Sequence, residues 1–89
     1  MMTEKSPQHG IPFSAFVLSL STMALAALGQ CDDPAFAAVQ RDPDVARSNI
    51  DILLMLREKT VGNLNEDEEK LINTVIYDLQ MRYLHETQT

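Results

Sequence analysis

The sequence predicts an all-α fold of three helices, at about residues 13–29, 43–60 and 66–84. The first segment has no charged residue, and the other two carry apolar residues at the three- and four-residue spacing of a helix. The glycines and prolines all fall outside the apolar runs, which leaves those runs free of helix breakers. We expect the last two helices to form an antiparallel hairpin and the chain to pack as an oligomeric helical bundle.

The first helix is apolar around most of its circumference. Ser14 is a suitable N-cap, and Gly29 is a suitable stop because glycine accepts the left-handed conformation that ends many helices. Helical spacing places a broad apolar arc on one side and a narrower seam of apolar and small residues opposite. The arc contains Phe13, Phe16, Val17, Leu20, Met23, Ala24, Ala27 and Leu28, and the seam contains Ser14, Leu18, Ser21, Leu25 and Leu28.

Two further helices are too few to cover both sides of this one. Burial of a large apolar side chain contributes roughly 1.5–3 kcal/mol, so leaving several in water forfeits an amount comparable with the stability of a small domain. We therefore expect a homo-oligomer, with a dimer favoured, or an unidentified protein partner. Two residues of the third helix that point away from its core stripe join the expected interface. That interface comprises Phe13, Phe16, Val17, Leu18, Leu20, Ser21, Met23, Leu25, Leu28, Tyr77 and Met81.

A membrane-associated alternative uses the same segment, residues 13–29. The uncharged run is roughly 25 Å long at about 1.5 Å per residue, short of a hydrocarbon core of about 30 Å. Helices that lie on a bilayer surface usually carry Lys and Arg, and this segment has none at its flanks. The alternative is therefore a peripheral membrane-associated protein, and it ranks below the self-associating module.

Charge and cysteine content restrict the partners and the compartment. The net charge of −6 argues against nucleic acid, which needs clustered Lys and Arg to neutralise phosphate. The one cysteine, Cys31, cannot form an internal disulfide, which agrees with a reducing cytoplasm. A length of 89 residues predicts one small domain. We assign residues 1–12 to a mobile N-terminal arm, 13–85 to a single helical domain and 86–89 to a frayed tail.

The second and third helices carry local start and stop signals. Asp42 is predicted to cap the second helix, and Gly62 to take the C′ position at its end. Asn65 and Glu68 form a variant of the capping box at the start of the third helix. We expect an ion pair between Arg57 and Glu68 at the closed end of the hairpin.

The sequence has no motif of the kinds that support catalysis or cofactor binding. It lacks a Gly-rich phosphate loop, a Cys or His cluster at metal-ligand spacing, and a serine nucleophile motif. The acidic run at residues 66–69 is explained by the positive end of a helix dipole, and it lacks the alternating oxygen ligands of a calcium loop. We predict a protein that is not an enzyme and that uses no cofactor or metal. An enzyme with carboxylates at a subunit groove is the weakest hypothesis.

Four stretches of the chain resemble one family. They are Phe13-Ser14-Ala15-Phe16-Val17-Leu18-Ser19-Leu20 with Thr22, Ala24, Leu28 and Gly29; Ile50-Asp51 with Leu53, Met55 and Leu56; Lys59-Thr60 with Gly62-Asn63-Leu64 and Glu68; and Tyr77-Asp78-Leu79 with Met81-Arg82-Tyr83. In these residues the chain resembles a family of small bacterial proteins designated domain of unknown function 1844. Asn65 stands where that family commonly has Thr, and Gln80 where a basic residue is common. The resemblance implies no assigned activity, cofactor or catalytic residue, and it favours treating the first helix as part of the domain.

These observations lead to one main functional hypothesis. The chain is predicted to be a cytoplasmic, non-enzymatic helical module for interaction or scaffolding, which self-associates through its apolar first helix.

Overall fold

The computed structural model describes residues 10–88 and contains three α-helices. They are α1 (Phe13–Ala27), α2 (Pro43–Lys59) and α3 (Glu66–Thr87), and each packs against the other two. A single 3-10 turn, Pro34–Phe36, lies in the connection between α1 and α2. The described residues contain no β-strand. The predicted all-α class and the three predicted helices are confirmed.

The helix ends differ from the predicted ones by one to three residues. The first helix ends at Ala27, two residues before the predicted end, and α3 continues to Thr87, three residues beyond it. Glu86 and Thr87, which we assigned to a frayed tail, lie inside α3. Most of the predicted N-terminal arm, residues 1–9, lies outside the described residues.

The first helix begins without the predicted serine cap. Pro12 occupies the N-cap position, its carbonyl accepts a hydrogen bond from Phe16 N at 3.2 Å, and no side chain caps the helix. Ser14 was the wrong choice because it already lies inside the helix. At the other end Gly29 has a φ of 76°, as predicted for the stop. Two backbone bonds that end the helix run from Gly29 N to Ala26 O and from Gln30 N to Leu25 O.

The second helix has the predicted cap and a slightly different end. The Asp42 side chain accepts a hydrogen bond from Asp44 N at 3.1 Å, with proline at the first helical position. Thr60 is the C-cap, so Gly62 stands two residues beyond it and not at C′. Gly62 has a φ of 85° inside a turn closed by Asn63 N donating to Thr60 O at 2.9 Å. Glycine is therefore required here by the turn that follows the helix.

The capping box predicted for α3 is present. Glu68 N donates to Asn65 Oδ1 at 2.8 Å, and Asn65 N donates to Glu68 Oε1 at 3.0 Å. Both side chains therefore satisfy backbone N–H groups that would otherwise lack a partner at the start of the helix. The carboxylates of the first turn also lie at the positive end of the α3 dipole.

The core is formed by apolar side chains from all three helices. The buried members are contributed by the inward stripe of each helix, as helical periodicity requires. They are Val17 and Ala24 from α1, Ile50 and Leu53 from α2, and Ile72, Ile76 and Leu79 from α3. Partly buried apolar side chains, including Leu25, Leu54 and Tyr83, pack around this cluster.

A second, smaller cluster joins the end of α1 to the beginning of α2. Ala27, Leu28 and Ala46 are buried together, and Tyr83 of α3 packs against them. Asp42 N donates a hydrogen bond to Ala27 O at 2.8 Å, which fixes the start of α2 against the end of α1. Small side chains at two of these positions allow the two helix backbones to approach closely.

Replacement of Asn65 by Ala should destabilise the fold by about 1 kcal/mol, because it removes the side-chain acceptor of the capping box. Asn65→Thr should retain most of the stability, since threonine also caps helices. Urea unfolding followed by circular dichroism measures both changes.

The matched control for this experiment is Asn63→Ala, because Asn63 lies in the same connection and its side chain has no hydrogen bond to another described residue. Equal losses of stability in the Asn63→Ala and Asn65→Ala variants would contradict the role assigned to the capping box.

Candidate interaction surfaces

The predicted interface residues in α1, together with Leu28 at its C-cap, have three levels of exposure. The buried ones are Val17 and Leu28, and the half-buried ones are Phe13, Leu20, Ser21 and Leu25. Phe16, Leu18 and Met23 remain 40%, 49% and 39% exposed. The other two helices therefore cover one side of α1 and leave large apolar side chains in water on the rest.

The exposed side chains of α1 form two ridges with small residues between them. Phe16 and Met23 are seven residues apart, about two helical turns, and so share one stripe. Leu18 lies roughly 150° around the helix from that stripe, at about 100° per residue. The exposed positions between the two ridges are Ala15 and Ser19. This side of α1 is an uncharged face on which small side chains lie between apolar ones.

A separate groove of about 410 Å³ lies between α2 and α3. Apolar side chains dominate its lining, and one cation and one anion stand among them. The α2 residues that line it are Arg47, Ile50, Asp51 and Leu54, and the α3 residues are Tyr77, Gln80, Met81, Tyr83 and Leu84.

The structure places the predicted interface residues on two different surfaces. Tyr77 and Met81 are 67% and 50% exposed, but they line the groove between α2 and α3. No α1 residue lines that groove. Arg47 and Asp51 were missed from the sequence, because exposed charges on a helix resemble an ordinary solvated face.

Polar side chains connect the last turns of α3 to the end of α1 and the following loop. Gln30 is central: its Nε2 donates to Glu86 Oε2 at 2.8 Å, and its Oε1 accepts from Arg82 Nη1 at 2.7 Å. Arg41 Nη2 lies 3.4 Å from Glu86 Oε1, and Arg82 Nε donates to Asp78 Oδ2 at 2.8 Å. These contacts stabilise α3 as far as Glu86, beyond its predicted end.

The ion pair predicted between Arg57 and Glu68 is replaced by other contacts. Arg57 Nη1 donates to Asn73 Oδ1 at 3.1 Å. The Glu68 carboxylate is occupied by the capping box, where it accepts from Asn65 N. The prediction was wrong because the same carboxylate was assigned to both roles.

Two features are absent from the part of the chain that the structure describes. None of its helices combines the length and the apolar character needed to cross a bilayer. Within the same residues, no group of three or more His, Cys, Asp and Glu side chains is arranged to hold a metal ion.

Replacement of Gln30 by Ala should lower the free energy of unfolding by about 1–2 kcal/mol. It removes two hydrogen bonds to charged groups, and partial exposure keeps the loss below that of a fully buried pair. Gln40→Ala is the control, because Gln40 is exposed in the same connection and should stay within about 0.5 kcal/mol of the parent chain. Urea titration measures the free energy of unfolding of both variants. Equal losses of stability would contradict the role assigned to Gln30.

Comparison with known proteins identifies a family. A family model described as a domain of unknown function (DUF1844) matches residues 10–85, which is most of the chain. No curated protein and no solved structure matches the chain. The resemblance found in the sequence is confirmed, and the chain belongs to the DUF1844 family.

Proposed function

We propose that this protein is a non-enzymatic helical interaction module that self-associates through the exposed side of α1. The observation that carries the proposal is the exposure of Phe16, Leu18 and Met23 on a helix without charge. Three side chains of this size, each 39–49% exposed, offer a substantial gain of apolar burial to any surface that covers them. A scaffolding role follows when such a module brings copies of itself together.

A second copy is the occupant that this surface favours. This face of α1 contains neither cation nor anion, so a charged partner would lose hydration there without gaining an ion pair. The α1 helix of another copy carries the same uncharged face. Small residues at Ala15 and Ser19 leave room for close helix approach, while Leu18 and Phe16 offer ridges that pack beside it. A two-fold homodimer uses the same surface twice.

The same proposal includes an antiparallel arrangement of α2 and α3. The contact of Arg57 with Asn73 lies near the short connection between these helices. The small cluster that contains Ala46, against which Tyr83 packs, lies far from it. Between these two places the residue numbers in α2 decrease from 57 to 46, whereas those in α3 increase from 73 to 83. This opposite progression supports the hairpin.

Five of the 13 Asp and Glu residues have structural roles, which supports the absence of catalysis. Asp33 and Asp42 accept backbone hydrogen bonds at helix starts, and Glu68 belongs to the capping box. Asp78 and Glu86 form ion pairs with arginines. A cytoplasmic location is part of the proposal and rests on the one cysteine of the chain.

Replacement of Leu18 by Asp should abolish the α1 contact, because it places a carboxylate on each copy in an apolar interface. Leu18 is a suitable site because it is half-exposed, whereas Leu25 packs against the core and its replacement would also disturb folding. Light scattering after size-exclusion chromatography at micromolar concentration should show the mass of the assembly halved.

Val61→Asp is the matched control, since Val61 is 77% exposed in the connection between α2 and α3. That variant should keep the native mass. An unchanged mass for Leu18→Asp, or co-flotation of the native chain with lipid vesicles, would count against the proposed module and for another use of α1.

A further inference from the structure

We infer that the groove between α2 and α3 is a second association surface, on which two copies of the chain pack face to face about a two-fold axis. The surface is distinct from the one proposed for α1, because no α1 residue lines the groove. The inference does use the antiparallel arrangement proposed for α2 and α3. Its occupant is a second copy of this chain.

The charges of the groove are self-complementary. Arg47 and Asp51 lie one helical turn apart on α2, both side chains are exposed, and neither has an ion-pair partner within residues 10–88. Four residues span about 6 Å along a helix. When two α2 helices cross antiparallel with Asn49 at the midpoint, each Arg47 lies opposite the Asp51 of the second copy. One contact therefore forms two reciprocal ion pairs.

The apolar side of the groove has the same symmetry. Tyr77 and Leu84 lie on α3 with Met81 between them, and these side chains are 67%, 49% and 50% exposed. An axis that passes at the level of Met81 places the two Met81 side chains together. The same axis places Tyr77 opposite the Leu84 of the second copy, which covers three exposed apolar side chains on each chain.

Asn49 is the midpoint of the inferred α2 contact and Met81 that of the inferred α3 contact. Both lie at the same level along the hairpin. Arg57 contacts Asn73 across the hairpin. Because the helices are inferred to be antiparallel, eight residues back along α2 corresponds to eight residues forward along α3. Asn49 therefore lies level with Met81. One axis, perpendicular to both helices, is sufficient to pair the charges of α2 and the apolar side chains of α3.

The α1 helix of another copy is a poorer occupant of this groove. It has no charged residue, so its docking would remove water from Arg47 and Asp51 without giving either an ionic partner. A second groove face offers both the opposite charges and the apolar side chains at matching positions.

Charge reversal tests the inference in a chain whose α1 contact is already blocked by Leu18→Asp. This chain should have the mass of two copies, twice 10.0 kDa, by light scattering at micromolar concentration. Arg47→Asp should reduce the mass to one copy, because four carboxylates then meet at the axis and like charges across an interface are strongly unfavourable. Asp51→Arg should do the same with four guanidinium groups. The double reversal restores opposite charges and should restore the mass of two copies.

Lys70→Asp is the control for net charge, because Lys70 is exposed on α3, does not line the groove, and its replacement changes the charge by the same amount as Arg47→Asp. It should leave the mass unchanged. All substituted positions of the groove test are exposed, and equal far-UV circular dichroism verifies folding. The same reversals in the native background give a second measurement, in which single reversals lower the native mass and the double reversal restores it.

A single-copy mass for the Leu18→Asp chain with its native groove overturns the inference and leaves the α1 proposal standing. The inference is also overturned if both the Arg47→Asp and the Asp51→Arg variant keep the mass of two copies. Failure of the double reversal to restore association overturns it as well. Failure of the α1 proposal has a different signature, since Leu18→Asp alone would then leave the native mass unchanged.

Discussion

The packing of the uncharged helix α1 against both α2 and α3 is the constraint on which the remaining structure depends. Val17 and Ala24 are completely buried in the cluster that contains Ile50, Leu53 and Ile72, so the core exists only where all three helices meet. An isolated pair of helices of this length would bury too little apolar surface to offset its loss of conformational entropy. A helix that is essential to the core, yet apolar on its outer side as well, then leaves part of its surface available for association.

The features that could be predicted from the sequence are those determined by neighbouring residues. The Asn65 and Glu68 capping box involves residues three apart, and the Asp42 cap depends on its own helix start. The inward stripes of α2 and α3 follow from helical periodicity alone, and Ile50 and Ile72 lie on these stripes in the core. Local chemistry at these positions agrees with the tertiary fold.

The features that could not be predicted depend on residues distant in the sequence. Gln30 and Glu86 are 56 residues apart, and nothing in the pattern around either indicates that they meet. That contact helps α3 to extend past its predicted end. The groove was missed for a related reason, because the position of Tyr77 relative to Arg47 follows from the packing of two helices and not from either helix alone. The sequence showed which residues point outward, but it could not divide them between two surfaces.

The two proposed surfaces differ in the physics that would hold them, and salt would act on each in a different way because charged side chains line only the groove. Contact through α1 brings together two acidic chains across an uncharged face, so salt that screens their mutual repulsion should strengthen it. Contact through the groove includes exposed pairs between Arg47 and Asp51, which salt weakens. Such pairs contribute about 0–1 kcal/mol each and mainly set the register, while Tyr77, Met81 and Leu84 provide most of the burial. Two independent two-fold contacts on one chain allow assembly beyond the dimer, and it closes as a tetramer only if their axes meet at right angles. If both proposed contacts form, a higher salt concentration should therefore favour the α1 contact over the groove contact.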